Sequence, residues 1–250
     1  MSLSLKIKKR LIFIAVSFAT LLMGGSVLSA NIPTSKRSEK AILSVEVNLK
    51  KELSTLGLDY GAPIFIRIFK EDSILEVWME SKSGEFVKFK DYEICTFSGK
   101  LGPKLKEGDY QSPEGFYFVN ASALNPWSRF HLSFNLGYPN QYDRYHKRTG
   151  SALMVHGNCV SIGCYAMTDE YINEIYALAY AALKEGQPFF RVHAFPFKLD
   201  NNILEQHKNN QWYEFWLNLK QGYDFFENNK VPPNVNVSNG QYIFSEIEDK

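Results

Sequence analysis

His156-Gly157-Asn158-Cys159-Val160-Ser161-Ile162-Gly163-Cys164-Tyr165-Ala166-Met167-Thr168-Asp169 joins the end of an apolar strand, Ser151 to Val155, to the start of a helix. Thr168 can cap that helix, because Asp169 and Glu170 follow it and Ile172, Ile175, Ala179 and Leu183 recur at helical spacing up to Gly186. A histidine at a strand end, two glycines that permit close backbone approach and a cysteine shortly before a helix are the parts of a thiolate site. Cys164 is favoured over Cys159 as nucleophile, since a helix start and a nearby imidazole would lower its pKa and keep it reactive below neutral pH. Gly163 would leave the amides of Cys164 and a neighbour free to meet a developing oxyanion. Three other readings stand beside this one. His156, Cys159 and Cys164, with His146, could ligate zinc, although paired knuckles are lacking. Ser161 could be the nucleophile, but its context has no first elbow glycine. His156 and the cysteines could also be purely structural.

Working outward, Ser38 to Leu56 places Ile42, Val45, Leu49, Leu53 and Leu56 on one side of an amphipathic helix ending at Gly57. The period then changes. Ile64 to Phe69, Ile74 to Met79 and Phe86 to Cys95 are β-branched and aromatic runs separated by polar turns, which predicts a three-strand meander. A glycine-rich region from Gly99 to Gly108 and a Ser112-Pro113-Glu114-Gly115 turn lead to a strand from Phe116 to Val119. From Phe130 to Leu136 the alternation puts Phe130, Leu132, Phe134 and Leu136 on one face and His131, Ser133 and Asn135 on the other. A last strand, Phe189 to Phe195, precedes an aromatic helical segment around Trp212 to Phe226 and a Pro/Asn/Ser-rich tail. The expected class is α+β, a mostly β core with N- and C-terminal helices packed on it.

A chain of 250 residues, 45% hydrophobic, can bury one sizeable core. Its first thirty residues stand apart: Lys6, Lys8, Lys9 and Arg10 precede an apolar run from Leu11 to Leu22 and the small-residue stretch Val27-Leu28-Ser29-Ala30. That order predicts a signal peptide cleaved after Ser29 or Ala30, with an uncleaved membrane anchor as the alternative. Loss of those four basic residues would take the net charge from +1 to −3, and with no basic stripe a nucleic-acid partner is disfavoured. Export makes the three cysteines notable. Cys95 reads best as a small buried hydrophobe, with a Cys95–Cys159 bridge as the lesser option.

His156-Gly157 with Ser161-Ile162-Gly163-Cys164 resembles the histidine and Ser-x-Gly-Cys motif of the L,D-transpeptidases, the YkuD-like catalytic domain, most closely its YafK-like branch. Gly108-Asp109 with Ser112-Pro113-Glu114-Gly115-Phe116-Tyr117 is similar to that domain's Thr/Ser-Pro-x-Gly segment, and His131 to Asn140 to a YafK-type segment. The likeness spans about residues 63–197 and implies a β-rich L,D-transpeptidase core. It divides the chain into a signal peptide (1–30), an N-terminal helical segment (31–60), a catalytic domain (61–198) and a C-terminal helical extension and tail (199–250). By the resemblance Cys164 is the nucleophile, His156 its base and the Gly157 carbonyl the group orienting the imidazole, while Ser161 and Gly163 shape the turn. Ala166 departs from the arginine or asparagine that many members carry there, and the histidine-to-cysteine loop is shorter than in many relatives. The implied chemistry is a thioester at the L-centre of diaminopimelate in peptidoglycan stem peptides, passed to an amine or to water. The second outcome would be an L,D-amidase that cuts cross-links or frees a tethered lipoprotein, and a non-catalytic wall-binding module is the rival from another class. The expected location is the periplasm, with membrane contact only through an uncleaved leader, and no cofactor or metal is expected. Candidate substrate contacts are His131, Ser133 and Asn135 on the polar strand face and Ser161 in the motif, with Arg129, Tyr138 and Arg144 as carboxylate or backbone binders. Trp127 is read as packing rather than as binding sugar.

Overall fold

The computed structural model describes residues 31–246, so the leader assigned to residues 1–30 lies outside them. The chain runs α1 (Lys36–Thr55), β1 (Ile64–Phe69), β2 (Ile74–Glu80), β3 (Phe86–Glu93), β4 (Thr96–Phe97), β5 (Gly115–Asn120), β6 (Leu124–Asn125) and β7 (Ser133–Asn135). It continues through α2 (Gln141–Tyr145), β8 (Met154–His156), β9 (Tyr165–Ala166), α3 (Asp169–Lys184), β10 (Phe189–Phe195), α4 (Asn201–Gln206) and α5 (Tyr213–Asn229). A hairpin of β11 (Asn234–Ser238) and β12 (Gln241–Ser245) ends it. No helix among the described residues is long and apolar enough to cross a membrane.

The run Ile-Phe-Ile-Arg-Ile-Phe in β1 is buried on both faces and organises the molecule. Its sheet has the order β3-β2-β1-β10-β5, antiparallel except for the β1–β10 pair, and contains the expected meander. Because side chains alternate along a strand, Ile64, Ile66 and Ile68 enter one core with residues of α1 and α3. Phe65 and Phe69 point the other way, where Phe226 and Tyr223 of α5 meet them at ring-centroid distances of 4.7 and 6.3 Å. Between them the buried Arg67 is neutralised by Glu76 of β2 and Glu227 of α5. Each buried isoleucine contributes about 1.5–3 kcal/mol, so the sheet needs cover on both sides.

Ser35 starts α1 through a reciprocal capping box with Ser38, and Leu49 and Leu53 bury where the helix rests on α3. A second sheet, β4-β9-β8-β7-β6, packs Leu132, Phe134, Val155 and Tyr165 into the same core. Two expectations are corrected. The strand anticipated over residues 130–136 is confined to Ser133–Asn135, because His131 adopts φ +66° and breaks the alternation. The supposed tail is the β11–β12 hairpin, turning at Asn239 and Gly240, both with positive φ, and its Tyr242 enters a second core with Phe69, Phe195 and Trp216.

Candidate active site

Strand β8 ends on His156 and β9 follows Cys164, and the two strands pair in parallel with Val155 opposite Tyr165 and His156 opposite Ala166. That register brings Cys164 beside Met154, whose amide donates to Cys164 Sγ at 3.4 Å. The 157–164 loop is therefore a short crossover between neighbouring parallel strands, and it sets the thiol level with Met154, two positions before His156. Cys164 and His156 line one cavity of about 480 Å³, walled also by Lys104, Phe130, Ala152 and Met154. Gly157 is required by close approach: a Cβ there would lie 2.6 Å from Asp169 Oδ1 and 3.1 Å from His131 Cβ. Gly163 has φ +150°, a backbone state that disfavours side chains.

His156 Nδ1 lies 2.6 Å from the Gly157 carbonyl oxygen, which can only accept, so Nδ1 carries the proton and Nε2 of the neutral ring is the basic nitrogen. Phe130 lies over the imidazole at 4.6 Å between centroids. Burial pushes the His156 pKa down, opposed by the bond to Gly157. Burial pushes the Cys164 thiol up, opposed by the Met154 amide and the Lys104 ammonium. This corrects the expectation of a depressed thiol. The helix start is not at the thiol, since β9 intervenes and Asp169 in the first turn of α3 instead accepts the Asn158 amide at 2.8 Å. Both shifts favour the neutral forms of the two groups, and Sγ–H contacts the Ala152 carbonyl at 3.7 Å.

Behind Cys164, Ser112 and Ser161 both donate to its carbonyl, at 3.0 and 2.8 Å. Ser98 joins them, its hydroxyl 2.8 Å from that of Ser161 and its amide donating to Ser112 Oγ at 3.0 Å. The Gly163 amide donates to Ser161 Oγ at 3.1 Å, so it is held for the turn rather than offered to an oxyanion. Beneath Ser112 the fully buried Lys70 donates to the Ser112 carbonyl at 3.1 Å and to Glu114 at 2.9 Å. Trp216 of α5 donates to the other Glu114 oxygen at 2.9 Å. The C-terminal extension is thus hydrogen-bonded, through Glu114 and Lys70, to the serine cluster behind Cys164. Sequence reasoning missed Ser98, Lys70, Phe130 and Lys104, which carry no signal of their own in the chain.

A larger cleft of about 1160 Å³ shares Phe130, Ser151, Ala152 and Met154 with the Cys164 cavity. Arg129, Asn135, Tyr138 and Arg144 line it. Tyr138 offers only its ring, since its hydroxyl donates to the Lys104 carbonyl at 3.1 Å. Two candidate contacts are elsewhere. Ser133 is fully buried, with its hydroxyl on Met154 Sδ, and the backbone turn at His131 sends that ring to Asn173, 2.7 Å away. Trp127 does not pack as expected: it is 66% exposed at the edge of the cleft.

Cys95 and Cys159 form a disulfide with Cα atoms 5.4 Å apart, both residues being exposed, which corrects the reading of Cys95 as a buried hydrophobe. The bridge pins the loop where Asn158 and Cys159 both have positive φ, a conformation costing of order 1–3 kcal/mol per residue. It also takes Cys159 out of any zinc set, and His146 is turned away to the Gly240 carbonyl at 2.9 Å. Among the described residues no cluster of three or more His, Cys, Asp and Glu could hold a metal ion.

Residues 66–192 match the model of the YkuD family, the L,D-transpeptidase catalytic domain. YafK of Escherichia coli (strain K12), which bears an L,D-transpeptidase name, is 43% identical over 231 residues, covering 92% of this chain and 85% of its own. YafK of Escherichia coli O157:H7 gives the same figures. Among solved structures, the helical cell shape determining protein Pgp2 of Campylobacter jejuni (K307A mutant) aligns with a TM-score of 0.45 and 19% identity, over 78% of this chain and 66% of that one. Bd1075 of Bdellovibrio bacteriovorus aligns with a TM-score of 0.38 and 16% identity, over 71% and 78%. By the family match and the extent of identity to YafK, this chain belongs to the YkuD family of L,D-transpeptidase catalytic domains.

Proposed function

We propose that the chain is an exported peptidoglycan enzyme of the L,D-transpeptidase type, with Cys164 as nucleophile and His156 as base. The observation that carries this reading is the single cavity holding the Cys164 thiol together with an imidazole whose Nδ1 is already committed to the Gly157 carbonyl. In the neutral pair, His156 Nε2 takes the thiol proton as sulfur bonds to the carbonyl carbon at the L-centre of diaminopimelate. The tetrahedral intermediate collapses as its C–N bond breaks, the imidazolium returns the proton to the departing amine, and a thioester remains on Cys164. An incoming amine or water then gives its proton to His156 and takes the acyl group, and the thiol is regenerated. Proton transfer during attack suits a lowered imidazole pKa and a raised thiol pKa better than a preformed ion pair. The Ser98, Ser112 and Ser161 hydroxyls hold the Cys164 backbone still through this cycle, and Gly163 allows the turn.

The same thioester serves transpeptidation with an amine and L,D-amidase action with water, including release of a wall-tethered lipoprotein. Incubating the mature protein with defined muropeptides and with lipoprotein-linked sacculi, followed by mass analysis, reads the bond and the acceptor together. A change dependent on Cys164 supports the enzyme, whereas no change in any substrate leaves the silent wall-binding module. The leader's basic, apolar and small-residue order supports a site of action in the periplasm. N-terminal sequencing of exported protein should give Ala30 or Asn31, and an intact Met1 on membranes would show an anchor instead.

A further inference from the structure

Trp127 is the one exposed tryptophan of the four, its indole 66% exposed although burial of a large apolar side chain stabilises by about 1.5–3 kcal/mol. The loop beneath it is held firmly. Ser35 donates to the Pro126 carbonyl at 2.9 Å, and Arg37 donates to the carbonyls of Ser128 and His131 at 2.8 and 2.9 Å. The Trp127 amide itself donates to Asn125 Oδ1 at 3.1 Å, and Phe130 donates to Ser128 Oγ at 3.0 Å. The start of α1 therefore clamps the loop on both sides of Trp127 and leaves the ring facing outward. An aromatic ring fixed in this way loses little conformational freedom when a ligand covers it.

The ring stands at the edge of the larger cleft, which adjoins the Cys164 cavity along Phe130, Ser151, Ala152 and Met154, residues that line both. Among the described residues, the ionised side chains lining this cleft are Arg129 and Arg144, with no carboxylate. Arg129 has no ion-pair or hydrogen-bond partner among the described residues, whereas Arg144 donates to the Pro139 carbonyl. A flat π-face beside amide side chains, next to free guanidinium charge, matches a ligand with a C–H face, hydroxyl edges and nearby carboxylates. A pyranose ring bearing an acidic peptide has that combination. A peptide alone would satisfy the arginines and leave the indole uncovered.

We infer that the larger cleft seats the amino-sugar end of the peptidoglycan substrate, with Trp127 as the platform for a pyranose ring and Arg129 and Arg144 meeting carboxylates of its stem. The inference rests on the proposed function for the identity of the polymer and extends it from stem peptide to glycan. The cleft then sets which stems reach Cys164: those still carried on sugar.

The test is calorimetric titration of the full mature chain carrying Cys164→Ala with three probes: a disaccharide-tetrapeptide, the free tetrapeptide and the peptide-free disaccharide. The sugar-bearing peptide should bind at least about tenfold more tightly than the free peptide. Trp127→Ala should bring that ratio near one, and Trp127→Phe should recover part of it. Because each ratio is taken within one protein, loss of folded material cancels, and melting temperatures check it independently. A ratio near one with Trp127 present, a ratio unchanged in Trp127→Ala, or no binding of any probe overturns the inference. Turnover is read separately on protein retaining Cys164. Cleavage of peptide without a sugar advantage defeats only the glycan seat, while a sugar advantage without any bond change defeats only the enzymatic reading.

Discussion

The two halves of the groove are built on opposite terms. Around Cys164 the polar groups are already satisfied: Ser112 and Ser161 hold its carbonyl with Ser98 bonded behind them, Gly157 holds the imidazole, and Asp109 holds Lys104. Across the Phe130 and Met154 wall, the larger cleft presents Trp127 and Arg129 uncovered. A reacting centre gains from groups that need no rearrangement at the moment of attack. A recognition surface gains from groups whose partners arrive with the ligand. On the proposed reading, rigidity belongs to the cavity assigned the chemistry, and uncovered side chains to the cleft assigned recognition.

The sharpest break in that comparison is loss of the proposed nucleophile. We predict that Cys164→Ala lowers turnover by several orders of magnitude, and an active variant would remove Cys164 from the mechanism. The pH profile comes next. Because burial raises the thiol and lowers the imidazole, iodoacetamide alkylation of Cys164 should fall about tenfold per pH unit below a thiol pKa higher than an ordinary cysteine's. Cys95→Ser and Cys159→Ser together give the background for this measurement. Alkylation persisting below neutral pH would instead establish an ion pair.

The Cys95–Cys159 bridge closes a loop of sequence separation 64, so its removal should cost about 4 kcal/mol. We expect a melting temperature lower by roughly 10 °C, with most Cys164 chemistry kept in the cold. An unshifted melting point would show that the bridge does not restrain the unfolded chain. Trp216→Phe removes one donor from Glu114, and about 1–2 kcal/mol of stability should go with it. If the extension steadies the nucleophile's turn, kcat should drop severalfold while KM holds. Activity that merely follows the folded fraction would make α5 scaffold alone. The smallest effect belongs to the open side: Arg129→Ala should raise KM for carboxylate-bearing stems about tenfold with kcat little changed. An equal fall in kcat would move Arg129 into the reacting cavity.

Legibility differed in the same two halves. His156, Cys164 and the strand-to-helix passage could be read because a reactive residue, its glycines and a capped helix lie close together in the chain. The meander could be read because alternation and polar turns are local signals. The Asn239-Gly240 hairpin was equally legible, flanked by Val235, Val237, Tyr242 and Phe244, but the composition of the tail hid it. The break at His131 was not legible, because a positive φ at a histidine has no compositional mark.

The sequence by itself determined the family, the candidate nucleophile and base and the order of the main elements, since each rests on local motifs and periodicities. Only the tertiary structure decided the partner of Cys159, the burial that reverses the expected thiol shift, and the Trp216–Glu114–Lys70 link, because each joins residues far apart in the chain. It also decided that Trp127 faces out and Ser133 faces in. Exposure at those positions depends on what the rest of the chain packs against, and Ser35 and Arg37, some ninety residues upstream, hold the loop that carries Trp127.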